Sequence, residues 1–260
     1  DGIFADGLRI LVEELRKIAQ VIVVAPDRER SAIGTAVTLR RPLRVQRVKA
    51  IVSGVETYSV EGTPADSVIL ALGKLVKTGI DLVVSGINQG LNLGDDVLIS
   101  GTVGAALQGY LRGLPALAIS VAVNSQSPRD AARLATLLAQ KIDSKTLPTD
   151  IFLNVNLPNL PLEEIRETKV TELANRSHID TVEEAHDGEQ AYYQLVRQKI
   201  GGNTDSKTDI WAIEQGNISI TPLHTALLNR LTPAITDSLF SNLLQELQEY
   251  KTIGKNRRNY

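Results

Sequence analysis

One glycine-rich polar loop, set between an apolar strand pattern and a helical pattern, constrains this chain more than any other feature. Leu82-Val83-Val84 runs into Ser85-Gly86-Ile87-Asn88-Gln89-Gly90-Leu91-Asn92-Leu93-Gly94-Asp95-Asp96. Ser100-Gly101-Thr102 then opens a helical pattern over Val103 to Leu111. A loop of this kind, after a buried strand and before a helix, is where an open α/β sheet binds its ligand. The glycines let backbone approach that ligand closely. The side chains on offer are amides, hydroxyls and carboxylates, which suit a metal ion and a phosphate better than an apolar molecule.

The rest of the first 160 residues repeats the theme. Phe4, Leu8, Leu11, Leu15 and Ile18 share one face of a helix expected over residues 4–19. Val21 to Ala25 is an apolar run of strand length, the kind that sits in a sheet covered on both faces. A polar loop, Pro26 to Ser31, follows it. Val37 to Val48, interrupted by Pro42, reads as an extended arm or hairpin. Thr57 to Val60 is a short strand, and Thr63-Pro64 is a helix start with Thr63 as N-cap and Pro64 at the first helical position. A strand at 81–84, the glycine-rich loop and its helix come next. After them follow a strand at Ala116 to Val121, a helix at Arg129 to Ile142 and a strand at Ile151 to Val155. Strand-helix-strand alternation of this kind predicts a three-layer α/β fold around a mostly parallel sheet.

Beyond residue 160 the texture changes. Strand-like pieces, Lys169 to Leu173 and Ala191 to Lys199, flank a polar stretch from Ser177 to Gln190. A short helix signal, Thr208 to Glu214, precedes the strand-like Ile218 to Leu223. Ser238 to Tyr250 reads as an amphipathic helix, and Lys251 to Tyr260 is a basic tail. Two regions are therefore expected: residues 1–160 as the Rossmann-like core and 161–260 as a C-terminal extension.

Composition sets outer limits. The 260 residues carry 28 Lys and Arg against 30 Asp and Glu, so no broad basic face for nucleic acid is implied. No apolar run reaches the roughly 18 residues of a membrane span. The chain has no cysteine, which excludes disulfides and thiolate metal sites and fits a cytoplasmic location. It also has no methionine, and it opens on the turn dipeptide Asp1-Gly2. A doubly wound sheet that starts on a helix lacks its first strand. The expectation is that such a strand precedes Asp1 and lies beside Val21 to Ala25.

Four polar positions follow a strand or an expected strand: Asp1, Ser31, Asn88 and Ser100-Gly101-Thr102. In a parallel sheet all strand carboxyl ends share one edge, so these positions are expected to meet there. A carboxylate, a hydroxyl and an amide oxygen are hard ligands of the type that Mg²⁺, Mn²⁺ or Ca²⁺ accepts. The helix start at residues 100–102 offers N–H groups and hydroxyls to an anion. Each residue also has a plainer reading. Taken singly, Asn88 is a turn residue, Ser31 a loop hydroxyl, and Ser100 or Thr102 an N-cap. Asp95-Asp96 resembles a metal pair but reads more simply as a solvated loop, and Asp27-Arg28 could hold a base or phosphate but reads as a surface ion pair. His178, His186 and His224 show no ligand spacing; the first two read as loop residues of the polar stretch, the alternative being that one reaches an active site across a subunit contact.

Several separate motifs, in order along nearly the whole chain, resemble one family. They are Asp1-Gly2-Ile3, the run Val24-Ala25-Pro26-Asp27-Arg28-Glu29-Arg30-Ser31, and Glu61-Gly62-Thr63-Pro64-Ala65-Asp66. Val84 to Gly94, Ser100-Gly101-Thr102-Val103, Asn154-Val155-Asn156-Leu157-Pro158 and Ser219-Ile220-Thr221-Pro222-Leu223 complete them. Together they resemble the SurE survival proteins, metal-dependent nucleotidases that remove phosphate from nucleoside 5′- and 3′-monophosphates. The resemblance implies one divalent ion per subunit, Mg²⁺ or Mn²⁺, held by two aspartates of an Asn-Asp-Asp-Gly run, a serine and an asparagine. In this sequence the second aspartate is Asp1, the serine is Ser31 and the asparagine is Asn88, with catalytic roles falling to Asp1 and Asn88. Asn92, Ser100, Gly101 and Thr102 are the implied phosphate or substrate contacts. The C-terminal region is implied to exchange a hairpin or tail between subunits, giving a homodimer or homotetramer.

Two departures from the family pattern stand out. The first metal-binding aspartate is absent from these 260 residues, so they are expected to hold metal poorly or not at all. Thr35 and Ala36 stand where the family carries His or Asn and a small hydroxyl residue. The leading expectation is a phosphomonoesterase acting on nucleoside monophosphates. The alternatives are a nucleotide- or phosphate-binding module of the same fold without turnover, and a broader phosphatase that also takes short polyphosphate.

Overall fold

The computed structural model describes residues 2–77, 79–125, 128–175, 178–187, 190–199 and 205–224. Asp1 and the amphipathic pattern at Ser238 to Tyr250 lie outside them, as does any strand before Asp1. Helix α1 (Asp6–Leu15) is followed by β1 (Ile22–Pro26), β2 (Val45–Arg47), β3 (Glu56–Val60) and α2 (Pro64–Leu70), which runs into a π-turn at Ala71–Leu75. Next come β4 (Val83–Gln89), a 3₁₀ turn at Gly94–Leu98, α3 (Gly101–Tyr110), β5 (Ala116–Val121), α4 (Pro128–Asp143) and β6 (Phe152–Leu157). The remaining elements are β7 (Thr168–Val170), β8 (His178–Asp187), β9 (Gln190–Lys199), α5 (Asp209–Glu214) and β10 (Ile218–Pro222).

The strands among the described residues form three sheets. β1 pairs parallel with β3, and β2 closes antiparallel on β3 as the extended arm leads into it. β4, β5 and β6 are parallel, and the sheet continues past residue 160 through β10, antiparallel to β6, and β7. β8 and β9 form a separate two-stranded hairpin. The larger sheet is therefore mixed, with parallel strands where the glycine-rich loop leaves it. Among the described residues β1 pairs only with β3, and β4 only with β5.

Period-2 alternation explains the layering. On β5, Leu117, Ile119 and Val121 join one core with Ile10, Leu11 and Leu15 of α1, Leu138 and Ile142 of α4, and Val155 of β6. The intervening Ala116, Ala118 and Ser120 face the other side, where α3 packs against β4 and β5. These small residues let that helix sit close. α1 also packs a second side: Val12 meets Val23 of β1 and Val55 in a satellite core.

Four readings need correction. Phe4 and Ile18 are exposed, at 73% and 41%, because α1 spans only Asp6–Leu15 and helical periodicity does not reach them. The strand after Asp81 does not stop at Val84. It runs to Gln89, with a register shift between Ser85 and Asn88 against β5. Gly86 makes this possible: its φ is +132°, and a Cβ there would run into the Ile119 carbonyl oxygen. His178 and His186 lie on strand β8, not in a loop. The hairpin exposes residues on both faces, so it lacks the apolar alternation by which a half-buried strand is read. Asp96 is buried, not solvated, because partners from the hairpin reach it.

Candidate active site

A cleft of about 290 Å³ opens beyond the carboxyl ends of β1 and β4. Ser31, Asn88, Asn92, Ser100, Gly101 and Thr102 all line it. Three chain segments far apart in sequence thus converge, as parallel strands require when their carboxyl ends share an edge. Asp1 lies outside the described residues; its neighbour Gly2 lines the same cleft.

Ser31 sits on the loop leaving β1. That loop is tied down by Asp27 N–H donating to the Val60 carbonyl (2.9 Å) and Gly34 N–H donating to the Ile99 carbonyl (2.7 Å). Asp27 pairs with Arg30 at 3.4 Å, not with the adjacent Arg28. The second tie brings the Ser31 loop against the start of α3. The approach is close: a Cβ on Gly104 would lie 2.6 Å from the Gly34 carbonyl oxygen. Ser31 is exposed to the cleft.

Asn88 sits near the end of β4. Its amide nitrogen donates to the Gly90 carbonyl at 2.7 Å, so its side-chain oxygen is the atom left to face a ligand. The turn reading and the ligand reading are therefore both served by one side chain. Ser100 is likewise both a cap and a cleft residue. Its Oγ accepts from the Val103 N–H at 3.1 Å. A hydroxyl that accepts through a lone pair still has its O–H to donate. The first-turn N–H groups of α3 add to the helix dipole there, an arrangement that favours negative charge.

Asn92 is buried and held from two sides. Its side chain donates to Ser120 Oγ (2.7 Å), while Asn156 and Asn154 donate to its carbonyl (3.1 and 2.8 Å). Sequence reasoning carried Asn154 and Asn156 only as part of a motif and assigned them no part in the site. The signal was present as two asparagines at period 2 in Phe152-Leu153-Asn154-Val155-Asn156-Leu157, a strand otherwise buried and apolar.

Asp209 was missed as well. It is fully buried at the start of α5, and its carboxylate accepts from the N–H groups of Gly94 (2.8 Å), Ala174 (3.0 Å) and Ile210 (2.8 Å). Burial pushes its carboxyl above the ordinary value, against the pull of those three donors. No local pattern announces it, since its partner Gly94 lies 115 residues away.

Thr63 and Asp66 form a full capping box at α2. Asp66 also accepts from the Thr38 N–H (2.8 Å), and Thr63 Oγ1 donates to the Ala36 carbonyl (2.7 Å). The cap thereby pins the arm that follows the Ser31 loop. Burial works most strongly against ionisation of Asp66, but the Thr38 and Thr63 donors together outweigh it and hold the carboxyl below its ordinary value.

Donor chemistry tests the fit to a cation. Among the described residues no three His, Asp or Glu side chains gather as a metal cluster. Among the donors lining the cleft are a hydroxyl at Ser31 and an amide oxygen at Asn88, both hard and both neutral. Such a pair suits a divalent ion once a carboxylate joins it. Asp1, the residue before Gly2, is the carboxylate at the fitting place in the sequence.

Residues 1–180 match the family model described as survival protein SurE. The chain is 51% identical over 247 residues to the 5′-nucleotidase SurE of Dehalococcoides mccartyi strain CBDB1, covering 94% of this chain and 93% of that protein. It is 45% identical over 249 residues to the 5′-nucleotidase SurE of Legionella pneumophila strain Lens, covering 95% of each. The crystal structure of the SurE protein from Aquifex aeolicus superposes with a TM-score of 0.75 at 36% identity, covering 88% of this chain and 92% of that one.

Proposed function

The chain belongs to the SurE survival-protein family, and on that footing we propose that it is a 5′-nucleotidase, a metal-dependent phosphomonoesterase that hydrolyses nucleoside 5′- and 3′-monophosphates to nucleoside and phosphate. The observation that carries the reading is the convergence of Ser31, Asn88, Asn92 and Ser100 to Thr102 on one cleft. The names of the relatives in Dehalococcoides and Legionella point the same way.

Each residue has a task set by its surroundings. The N–H groups at the start of α3, with the Ser100 and Thr102 hydroxyls, bind the dianionic phosphate and orient it. Ser31 Oγ and Asn88 Oδ1, with the Asp1 carboxylate, would hold a Mg²⁺ or Mn²⁺ ion. Such an ion supplies Lewis acidity to the phosphoryl oxygens and acidifies water. Asn88 is kept in one orientation by its bond to Gly90, so its oxygen needs no reordering when a cation arrives. Water adds to phosphorus, the ester oxygen leaves with a proton, and the products balance as nucleoside plus inorganic phosphate.

The hairpin supports a further part of the reading, self-association. Val182, Tyr193 and Leu195 project from it at 61%, 67% and 75% exposure. A two-stranded hairpin is marginal in water on its own. We read it as a contact between copies in a homodimer or homotetramer, to be checked by light scattering during size exclusion.

The test of the activity is phosphate release from nucleoside 5′- and 3′-monophosphates with Mn²⁺ or Mg²⁺, with and without a chelator. Release that stops with the chelator and returns with the ion is expected. Nucleotide binding with no release under any metal would overturn the enzyme reading and leave a binding module.

A further inference from the structure

The β8–β9 hairpin reaches the turn before α3 through one buried carboxylate. Asp96 lies in the 3₁₀ turn between the glycine-rich loop and α3, and it is 7% exposed. Its Oδ2 is 2.9 Å from Nδ1 of His178 on β8. Its Oδ1 is 3.0 Å from Nη1 of Arg197 on β9, an ion pair without a hydrogen bond. Arg197 Nε in turn donates to Asp180 Oδ1 at 2.8 Å, which fixes the guanidinium within the hairpin.

The backbone of Asp96 holds the start of α3. Its carbonyl oxygen accepts the N–H groups of Ile99 and Ser100, both at 3.1 Å. Ser100 is the cap of α3 and a wall of the cleft. The turn is also held at its start, by the Asp209 carboxylate on Gly94. The turn between these anchors and the α3 cap is short, so it has little freedom to take up a shift in either.

We propose that Asp96, His178 and Arg197 are positioning residues. Through the Asp96 backbone they hold Ser100 and the first turn of α3 at the geometry that binds the substrate phosphate, so the hairpin sets phosphate affinity without touching the ligand. The proposal rests on the phosphate end of the nucleotidase reading. A buried carboxylate with two cationic or hydrogen-bonding partners on a different element is a strong tether, because removing either partner leaves charge buried and undercompensated.

The test uses Arg197→Gln, with Arg197→Lys as the charge-preserving variant and Asp96→Asn as the second site, all in the full chain. Two readouts are taken. The first is amide hydrogen exchange at residues 99–104, which reports the tether whether or not nucleotides are hydrolysed. The second is inhibition by inorganic phosphate compared with inhibition by a nucleoside lacking phosphate.

Arg197→Gln is expected to speed exchange at Ile99, Ser100 and Val103 and to weaken phosphate inhibition by roughly three- to tenfold. Nucleoside inhibition should stay unchanged, and Arg197→Lys should recover part of the loss. Should Asp96→Asn fail to fold, the Arg197 pair alone decides. Equal phosphate inhibition in wild type and Arg197→Gln, or faster exchange spread evenly over the whole chain, would overturn the positioning role. A wild-type protein that shows local exchange coupling but no phosphate release instead refutes the nucleotidase reading and leaves the tether standing.

Discussion

The backbone N–H of Asn92 donates to the side-chain oxygen of Asn156 at 2.8 Å, and the Asn156 amide nitrogen returns a bond to the Asn92 carbonyl at 3.1 Å. This reciprocal clamp, across 64 residues of sequence, fastens the glycine-rich loop to the end of β6. Asn156→Leu keeps the shape but leaves the Asn92 N–H buried without an acceptor. The expected loss is about 1–3 kcal/mol in urea denaturation, with a raised KM for nucleotide because Asn92 lines the cleft. Unchanged stability would show that water replaces the clamp.

Asn88 offers a sharper separation of folding from chemistry. Its side-chain bond to Gly90 is local, and the residue is partly exposed. Asn88→Ala should therefore shift the melting temperature little. Under the proposed ligand role it should lower kcat/KM by at least about 100-fold, more than a supporting partner typically costs. Excess Mn²⁺ restores part of that loss if the defect is in metal affinity. Near wild-type turnover at low metal would remove Asn88 from the ligand set.

Asp66 predicts a pH dependence of stability. Its folded carboxyl titrates below the ordinary 3.8. The unfolded state therefore binds a proton first as pH falls. The stabilisation is complete above about pH 4 and is lost as pH drops through the folded value. At pH 7 Asp66→Asn is expected to cost about 1–2 kcal/mol, since one of the two N–H donors at Thr38 and Thr63 loses its acceptor. The gap between wild type and variant should close in denaturation curves taken below pH 3.8. A gap that stays constant with pH would assign the loss to packing.

Gly104 tests the close approach of α3 to the loop carrying Ser31. A Cβ at this position meets backbone, the Gly34 carbonyl, which cannot swing aside as a side chain can. Gly104→Ala should cost about 1–3 kcal/mol and reduce activity, because Ser31 and the α3 start are pushed apart. Gly73→Ala is the control. A Cβ added there would have nothing within 4 Å, so that change should be neutral or stabilise by up to about 1 kcal/mol. Similar effects at both positions would argue against the close-approach account.

Much of the frame was legible because its cues are local. The apolar runs of β1 and β5, the Thr63-Pro64 start of α2 and the amphipathic α4 each carry their signal within one element. The hairpin was not legible in full. Its second strand was read, but its first is polar on both faces and carries no alternation. Asp96 misled for a related reason: two adjacent acids look solvated until a distant Arg197 and His178 are brought to one of them.

By itself, then, the sequence settled which residue types stand at strand ends and helix starts, and so the hard, anion-binding chemistry on offer. It did so because strand and cap preferences act over a few neighbouring residues. Only the tertiary structure decided that residues 31, 88, 92 and 100–102 share one cleft, that Asn156 clamps Asn92, and that Asp96 and Asp209 are buried. Those outcomes depend on sheet order and long-range pairing, and the energy of burying a polar group is set by partners that arrive from elsewhere in the chain.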